Sequence, residues 1–180
     1  MHSTKSDTHP RSRTLIHPGP FNPVRIQTRQ TRTARHVRLG LEPGASLFDG
    51  LVRPLSALGI RSASMTILGG AFDELQFCVA PPDPSGRAVI AYTRPTSAGP
   101  SQMVFGNATL GKGTDGRALV HCHAVIRTAA GLVKGGHIIA QHSIVGPRPI
   151  TVLVTSLDGF ELRVAFDPET NIPLMQPLEA

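Results

Sequence analysis

The sequence predicts an α+β fold in which a largely antiparallel β-sheet carries one main flanking helix. Sixteen prolines and eighteen glycines among 180 residues indicate many turns, which favours short strands over a helical bundle. Most segments between these turns are short and rich in β-branched residues, and one main segment has helical spacing. Hydrophobic residues make up 40% of the chain, which is enough for the core of one domain.

The N-terminal segment, residues 1–34, is polar and rich in Thr, Arg and Pro. It has too little apolar surface to offset the entropy lost on ordering, so we expect a disordered basic arm. Residues 1–38 carry a net charge of +7 and residues 39–180 a net charge of −1. Such an arm can bind nucleic-acid phosphates without sequence preference, although a solvated tail or a transit peptide would have the same composition. The candidate contacts are Arg11, Arg13, Arg25, Arg29, Arg32 and Arg35.

A strand and a helix open the body of the chain. Residues His36–Leu41 alternate in polarity and predict a strand. Ser46 is a good N-cap, and leucines recur at helical spacing over Leu47–Leu58 before Gly59 ends the helix. Pro54 lies inside this helix and should kink it or break it into two short pieces.

The remaining segments are predicted to be strands separated by Pro- and Gly-rich turns. They are Ser62–Leu68, Glu74–Ala80, Arg87–Thr93, Gln102–Leu110, Ala118–Arg127, a return strand from Leu132, Ile150–Ser156 and Glu161–Phe166. We therefore expect the domain over residues 35–166, followed by a C-terminal tail, residues 167–180, that lies along the surface.

Three histidines occur close together in a predicted β-hairpin. Side chains alternate across a strand, so His121 and His123 share one face while Cys122 lies on the other. Residues 128–131 make a plausible four-residue turn, and the return strand carries His137. If the hairpin brings all three imidazoles onto one face, they can converge on a single point.

The register of the hairpin decides whether the imidazoles converge. Pairing Arg127 with Leu132 places His137 on the wrong face for the other two histidines. A one-residue bulge at the glycine pair 135–136 would move His137 opposite His123. We therefore predict a bulge at these glycines.

Three neutral imidazoles suit zinc, copper, nickel or iron, and they leave at least one coordination position open. His142 is a candidate fourth ligand, but it has the opposite parity to His137 on a regular strand. Asp73 and Glu74 are candidate general bases, although solvated turn acids are the simpler interpretation. A site without turnover, which only stabilises the fold or an oligomer, fits the same pattern.

The two cysteines, Cys78 and Cys122, form no disulfide framework, so we expect a reducing, cytoplasmic location. No apolar run approaches the ~18–20 residues of a membrane span. Membrane association is therefore not expected.

The motifs that stand out are LGLEPGASLFDGLVRPLSALGI, the LGG after the next strand, and HCHAVIRTAAGLVKGGHIIAQHSIVG. Together they resemble the PPC domain, the plants and prokaryotes conserved domain, from about Arg35 to Ser156. The resemblance implies an antiparallel sheet with flanking helices, assembled as a homotrimer. In prokaryotic members the histidines of this pattern look like ligands for a metal such as zinc, and they map onto His121, His123 and His137.

The resemblance also raises DNA binding, because plant members carry this domain in AT-hook nuclear-localised proteins. The AT-hook core, Arg-Gly-Arg-Pro, does not occur in residues 1–38. Two hypotheses follow. The chain is either a trimeric metal-binding domain or a DNA-binding assembly protein that uses its basic arm non-specifically. For the metal-binding domain, the sequence leaves enzymatic activity open.

Overall fold

The structure is a computed structural model that describes residues 15–25 and 27–179. This part of the chain contains the helix α1 (Leu47–Ala57), the short 3-10 helix η1 (Ala140–His142) and twelve strands. The strands are β1 (His36–Leu41), β2 (Ala63–Ile67), β3 (Gly70–Glu74), β4 (Gln76–Cys78), β5 (Thr96–Ser97), β6 (Ser101–Lys112), β7 (Ala118–Thr128), β8 (Val133–Ile138), β9 (Ile144–Val145), β10 (Ile150–Ser156), β11 (Phe160–Asp167) and β12 (Ile172–Glu179). The predicted class, a mostly antiparallel sheet with one main helix, is confirmed.

The strands form one sheet whose main path runs β1-β10-β2-β6-β7-β8-β4-β5, with antiparallel neighbours throughout. The hairpin of β11 and β12 joins this sheet through a short parallel contact between Arg163 and Lys112. Gly111 permits that approach, because a Cβ there would lie 2.6 Å from the carbonyl oxygen of Leu162. The hairpin is thereby placed beside the start of β7.

Helix α1 is capped as predicted, since the Ser46 side chain accepts a 3.0 Å hydrogen bond from the backbone N–H of Asp49. The helix runs without a break through Pro54, so the predicted division into two pieces is wrong. Proline removes one intrahelical hydrogen bond, whereas each fully buried leucine contributes about 1.5–3 kcal/mol. Three fully buried leucines outweigh that loss: Leu47, Leu51 and Leu55.

The two faces of the sheet have different surroundings. Its inner face packs in the core with α1, where side chains such as Met65, Ile126 and Val152 are at most 1% exposed. Its outer face carries apolar side chains that remain open, with Phe105 44% and Val125 45% exposed. The odd-numbered residues of β7 from 121 to 125 lie on this outer face.

Three segments differ from the sequence prediction. Residues 87–93 form no regular strand, and an isolated bridge joins Pro82 to Ile90. The backbone N–H groups of this segment bond to two different partners, since Ala91 and Thr93 donate to residues 81 and 79 whereas Val89 donates to the carbonyl oxygen of Thr170. The predicted strand at 74–80 is divided between β3 and β4. The expected surface tail contains β12, which pairs along the whole of β11. Its prolines are tolerated because β12 is an edge strand.

The described part of the predicted arm contacts the turn between β11 and β12. Arg25 lies 3.5 Å from a carboxylate oxygen of Asp167 and 3.2 Å from one of Glu169. His17 lies 2.6 Å from Glu169, and the N–H of Gly19 donates to the Glu169 carbonyl oxygen. Charge pairing thus holds a segment that lacks apolar anchors. The boundaries of an arm at 1–34, a domain at 35–166 and a tail at 167–180 stay predictions.

Candidate metal centre

The strands β7 and β8 form the predicted hairpin in a different register. Arg127 pairs with Val133 rather than with Leu132, and the pairing continues without a bulge to place His137 opposite His123. The turn is one residue longer than predicted, so the turn, and not a bulge at the glycines, brings the histidines onto one face.

The glycine pair has another purpose, which is close packing of the neighbouring strands. A Cβ on Gly135 would lie 2.7 Å from the carbonyl oxygen of Ala124 in β7. A Cβ on Gly136 would lie 2.4 Å from the carbonyl oxygen of Cys78 in β4. Strand β8 therefore fits between β7 and β4 only because these residues have no side chain, and this fit positions His137.

The three imidazoles converge on the outer face of the sheet. Each offers one ring nitrogen, and the three nitrogens lie within 4.8 Å of one another. The ring centroid of His121 lies 4.9 Å from that of His123 and 4.8 Å from that of His137. His121 and His137 are partly buried, while His123 is exposed. Side chains in this arrangement can bind one metal ion from the same side.

Burial keeps two of these rings neutral. It lowers the pKa of His137 to about 4, with a further contribution from the charges of His121 and His123. Burial also lowers the pKa of His121, and the neighbouring His123 adds to the effect. A neutral imidazole has the free lone pair that a metal requires, so these rings are ready to coordinate near neutral pH.

One atom in the cluster lacks the partner that a buried polar atom normally has. The Nδ1 atom of His137 is buried and makes no hydrogen bond within the part of the chain that the structure describes. A metal ion bound at this nitrogen would supply the missing partner. The donor set, three imidazoles without a carboxylate, also suits zinc and other borderline metals. The residues present therefore fit a metal.

The cluster faces a cavity of about 860 Å³. Tyr92 lines this cavity, with its ring centroid 5.5 Å from that of His137. Burial, followed by the charge of Cys78, raises the pKa of Tyr92 and keeps its hydroxyl protonated. Sequence reasoning missed Tyr92 because residues 87–93 were assigned to a strand. It also missed the wall that β11 and β12 contribute, since the pairing of those strands was not predicted.

The other predicted candidates lie outside the cluster. Cys122 points into the core as expected, fully buried, and burial raises the pKa of its thiol to about 12. His142 is exposed at the end of η1 and does not join the three histidines. Asp73 and Glu74 are also absent from this group, and Glu74 accepts a hydrogen bond from Ser97. Among the described residues that line the cavity, none therefore brings a carboxylate to the imidazoles.

The candidate arginines of the basic arm differ in their surroundings. Arg25 pairs with the buried carboxylates of the β11–β12 turn, and Arg35 lies 3.0 Å from Asp158. Arg29 donates to a backbone carbonyl, and Arg32 is exposed. Two further candidates, Arg11 and Arg13, lie outside the described residues.

Residues 28–157 match the model of the Plants and Prokaryotes Conserved (PCC) domain, whose name is also abbreviated PPC. The chain belongs to the PCC-domain family. The match contains α1 and the whole histidine hairpin, and it ends before β11 and β12. The resemblance inferred from the motifs is therefore confirmed. No curated protein matches the chain.

Solved structures share this PCC fold at low sequence identity. A metal-containing protein from Archaeoglobus fulgidus has a TM-score of 0.62 at 20% identity, covering 81% of this chain and 94% of its own. A plant- and prokaryote-conserved protein from Pyrococcus horikoshii has a TM-score of 0.61 at 16% identity, covering 84% and 100%. A candidate DNA-binding protein from Ralstonia eutropha JMP134 has a TM-score of 0.60 at 20% identity, covering 78% and 88%. Identities this low establish the fold alone.

Neither helix in the described part of this PCC-domain chain has the length and apolar character needed to cross a membrane.

Proposed function

We propose that this PCC-domain protein binds a divalent metal ion, zinc before other candidates, through His121, His123 and His137. The observation that carries the proposal is the convergence of three ring nitrogens within 4.8 Å on the wall of a cavity. The unpartnered, buried Nδ1 of His137 supports it independently. The name of the metal-containing protein from Archaeoglobus fulgidus, which has the same fold, is in keeping with it.

Three protein ligands leave a coordination position for water or a ligand. When bound, such a metal acts as a Lewis acid or lowers the pKa of its water to about 7. The chain's own residues hold the three imidazoles side by side on the wall of the cavity. We extend the proposal to metal-dependent activity, which a screen for hydrolytic and lyase reactions would test. A purely structural metal would produce no turnover there.

Metal content of untagged protein, measured by plasma mass spectrometry, tests the site directly. We expect about one zinc or similar ion per chain in the wild type and loss of that ion in His123→Ala and His137→Ala. His142→Ala is the matched control, because it removes an exposed histidine outside the cluster and should keep the metal. A well-folded wild type without stoichiometric metal would refute the proposal.

A homotrimer is part of the proposal. The outer face of the sheet supports it, since the cross-strand partners Phe105 and Val125 are each nearly half exposed, and Leu153 is 45% exposed on the same face. Apolar side chains grouped in this way favour burial against another chain. Sedimentation equilibrium should show a trimer that Val125→Asp weakens, while Leu58→Asp, at a 47% exposed position beyond the end of α1, leaves it intact. A monomeric wild type would exclude this assembly.

A second candidate function is non-specific DNA binding, which the name of the Ralstonia protein and the net charge of +7 over residues 1–38 favour. Because Arg25 and Arg35 form ion pairs within the fold, the contacts that we propose are Arg11, Arg13 and the exposed Arg32. Replacing these three arginines with glutamine should abolish binding to a duplex, measured by fluorescence anisotropy at several salt concentrations. Unchanged binding in that variant would exclude the arm.

The location of the protein remains a prediction. The two free, buried cysteines, Cys78 and Cys122, are in keeping with the reducing, cytoplasmic compartment that we propose.

A further inference from the structure

The cavity beside the three histidines has two chemically different sides. One side carries the imidazoles of His121, His123 and His137. Another side is apolar and includes Val164 from β11 and residues 172–175 from β12. A ligand in the cavity would therefore meet nitrogen donors from β7 and β8 and hydrocarbon from β11 and β12.

The apolar side belongs to the part of the chain beyond the PCC-domain match, which ends at residue 157. Val164 and Met175 are cross-strand partners, so their side chains share one face of the hairpin. Both line the cavity. The C-terminal hairpin thus adds a surface to the histidine site that the matched domain does not itself contain.

Contacts at its turn hold this hairpin in place. Glu169, at the turn between β11 and β12, is 6% exposed and is paired with His17 and Arg25. The N–H of Val89 donates to the carbonyl oxygen of Thr170, which ties the segment before Tyr92 to the same turn. A wall fixed from two directions is pre-organised, so a ligand loses little affinity in ordering it.

We propose that this cavity binds a small monoanion with a hydrocarbon body. Its anionic head lies at the histidines and their metal, and its hydrocarbon body lies against the C-terminal hairpin. This inference rests on the metal site proposed above. The volume of about 860 Å³ lies within the range of small-molecule sites.

The charge distribution selects one anionic group. Among the described residues that line the cavity there is no Asp, Glu, Lys or Arg, so a charge placed away from the metal would have no oppositely charged partner. A metal ion held by three neutral imidazoles keeps its positive charge and attracts one anionic head. A second charged group on the ligand would be desolvated against Val164 and Met175.

Two hydroxamic acids with the same metal-binding head and different chains test the proposal. Calorimetry on the zinc-loaded full chain would compare acetohydroxamic acid with octanohydroxamic acid, which is six methylene groups longer. Each buried methylene contributes about 0.8 kcal/mol, or roughly fourfold in affinity. If half of the added chain is buried, the longer acid should bind about 50-fold more tightly.

Variants of the hairpin locate the effect. Met175→Gln keeps the length of the side chain but makes it polar, so it should reduce the advantage of the longer acid at least fivefold and leave the shorter acid unaffected. Phe166→Gln is the matched control, because Phe166 is 59% exposed on β11 and lies outside the cavity lining. Val164→Thr is a milder second variant. If both cavity variants fail to fold, the difference in affinity between the two acids for the wild-type protein still tests the proposed ligand class.

The outcomes separate this inference from the metal site. Stoichiometric zinc with equal affinity for the two acids would overturn the ligand class and leave the metal site standing. A chain-length advantage that Met175→Gln and Val164→Thr both preserve would overturn the assignment of the hairpin as the wall. Wild-type protein that takes up no zinc would overturn both proposals.

Discussion

The glycine at position 136 offers the most direct test of how the fold positions the histidines. In Gly136→Ala the new Cβ would lie 2.4 Å from the carbonyl oxygen of Cys78, and ordinary contacts begin at 3.4 Å. Strands β8 and β4 would therefore have to separate by about 1 Å. The obstructing atom belongs to the backbone, so a side-chain rotation cannot relieve the clash.

The expected cost follows from that displacement. Overpacking of a well-packed site costs about 1–3 kcal/mol, and a backbone hydrogen bond stretched by 1 Å loses roughly 1 kcal/mol more. Gly136→Ala should thus lower the free energy of unfolding by about 2–4 kcal/mol. Because metal sites tolerate ligand displacements of only about 0.2 Å, the shift of His137 should also weaken zinc binding at least tenfold.

Urea unfolding and competitive zinc titration would measure the two effects. Gly40→Ala is the control, since a Cβ at this position in β1 meets no atom within 4 Å. It should be neutral or slightly stabilising, because alanine reduces the entropy of the unfolded chain. If Gly136→Ala unfolds like the wild type and keeps its zinc, close strand packing does not position His137.

Three further predictions concern stability. Leu51→Ala should lower the free energy of unfolding by about 2–5 kcal/mol in urea titrations, because the side chain is fully buried, whereas Leu58→Ala at a 47% exposed position should change it little. Equal effects would contradict the assigned helix face. Hydrogen bonding to Arg35, more than to Ser156, lowers the pKa of Asp158 from its ordinary 3.8, so this carboxylate adds stability above that value and loses it as the pH falls further. The free energy of unfolding should therefore fall more steeply below pH 4 in the wild type than in Asp158→Asn, and parallel curves would contradict this pairing. Arg25→Gln should speed hydrogen exchange in β12, because it leaves buried carboxylates without their guanidinium partner, while exchange in β1 stays unchanged. Exchange at the wild-type rate in β12 would show that the ion pairs do not hold the hairpin.

Local patterns predicted the elements whose signals do not depend on distant residues. The strand His36–Leu41 and the strand Ile150–Ser156 lie where alternation and β-branching place them. The cap at Ser46 and the end of the helix near Gly59 follow from side-chain and backbone geometry within one turn. Each of these signals acts over a few residues, so the sequence alone is sufficient to predict the element.

Long-range pairing was harder to predict. Residues 87–93 have the composition of a strand, yet their N–H groups are divided between residues 79–81 and the distant carbonyl oxygen of Thr170. The prolines of β12 argue against a strand, but pairing with β11 leaves its other edge open. Competition between distant segments for the same backbone groups decides such cases, and no local pattern records it.

The histidine site shows the same division. The sequence by itself determined that His121 and His123 share a face, because alternation along a strand is a local property. Only the tertiary structure decided that His137 joins them, since a turn one residue longer shifts the register and exchanges the faces of β8. The cavity was also a tertiary result. Its walls come from segments far apart in the chain, which meet because paired backbones and buried ion pairs hold them together.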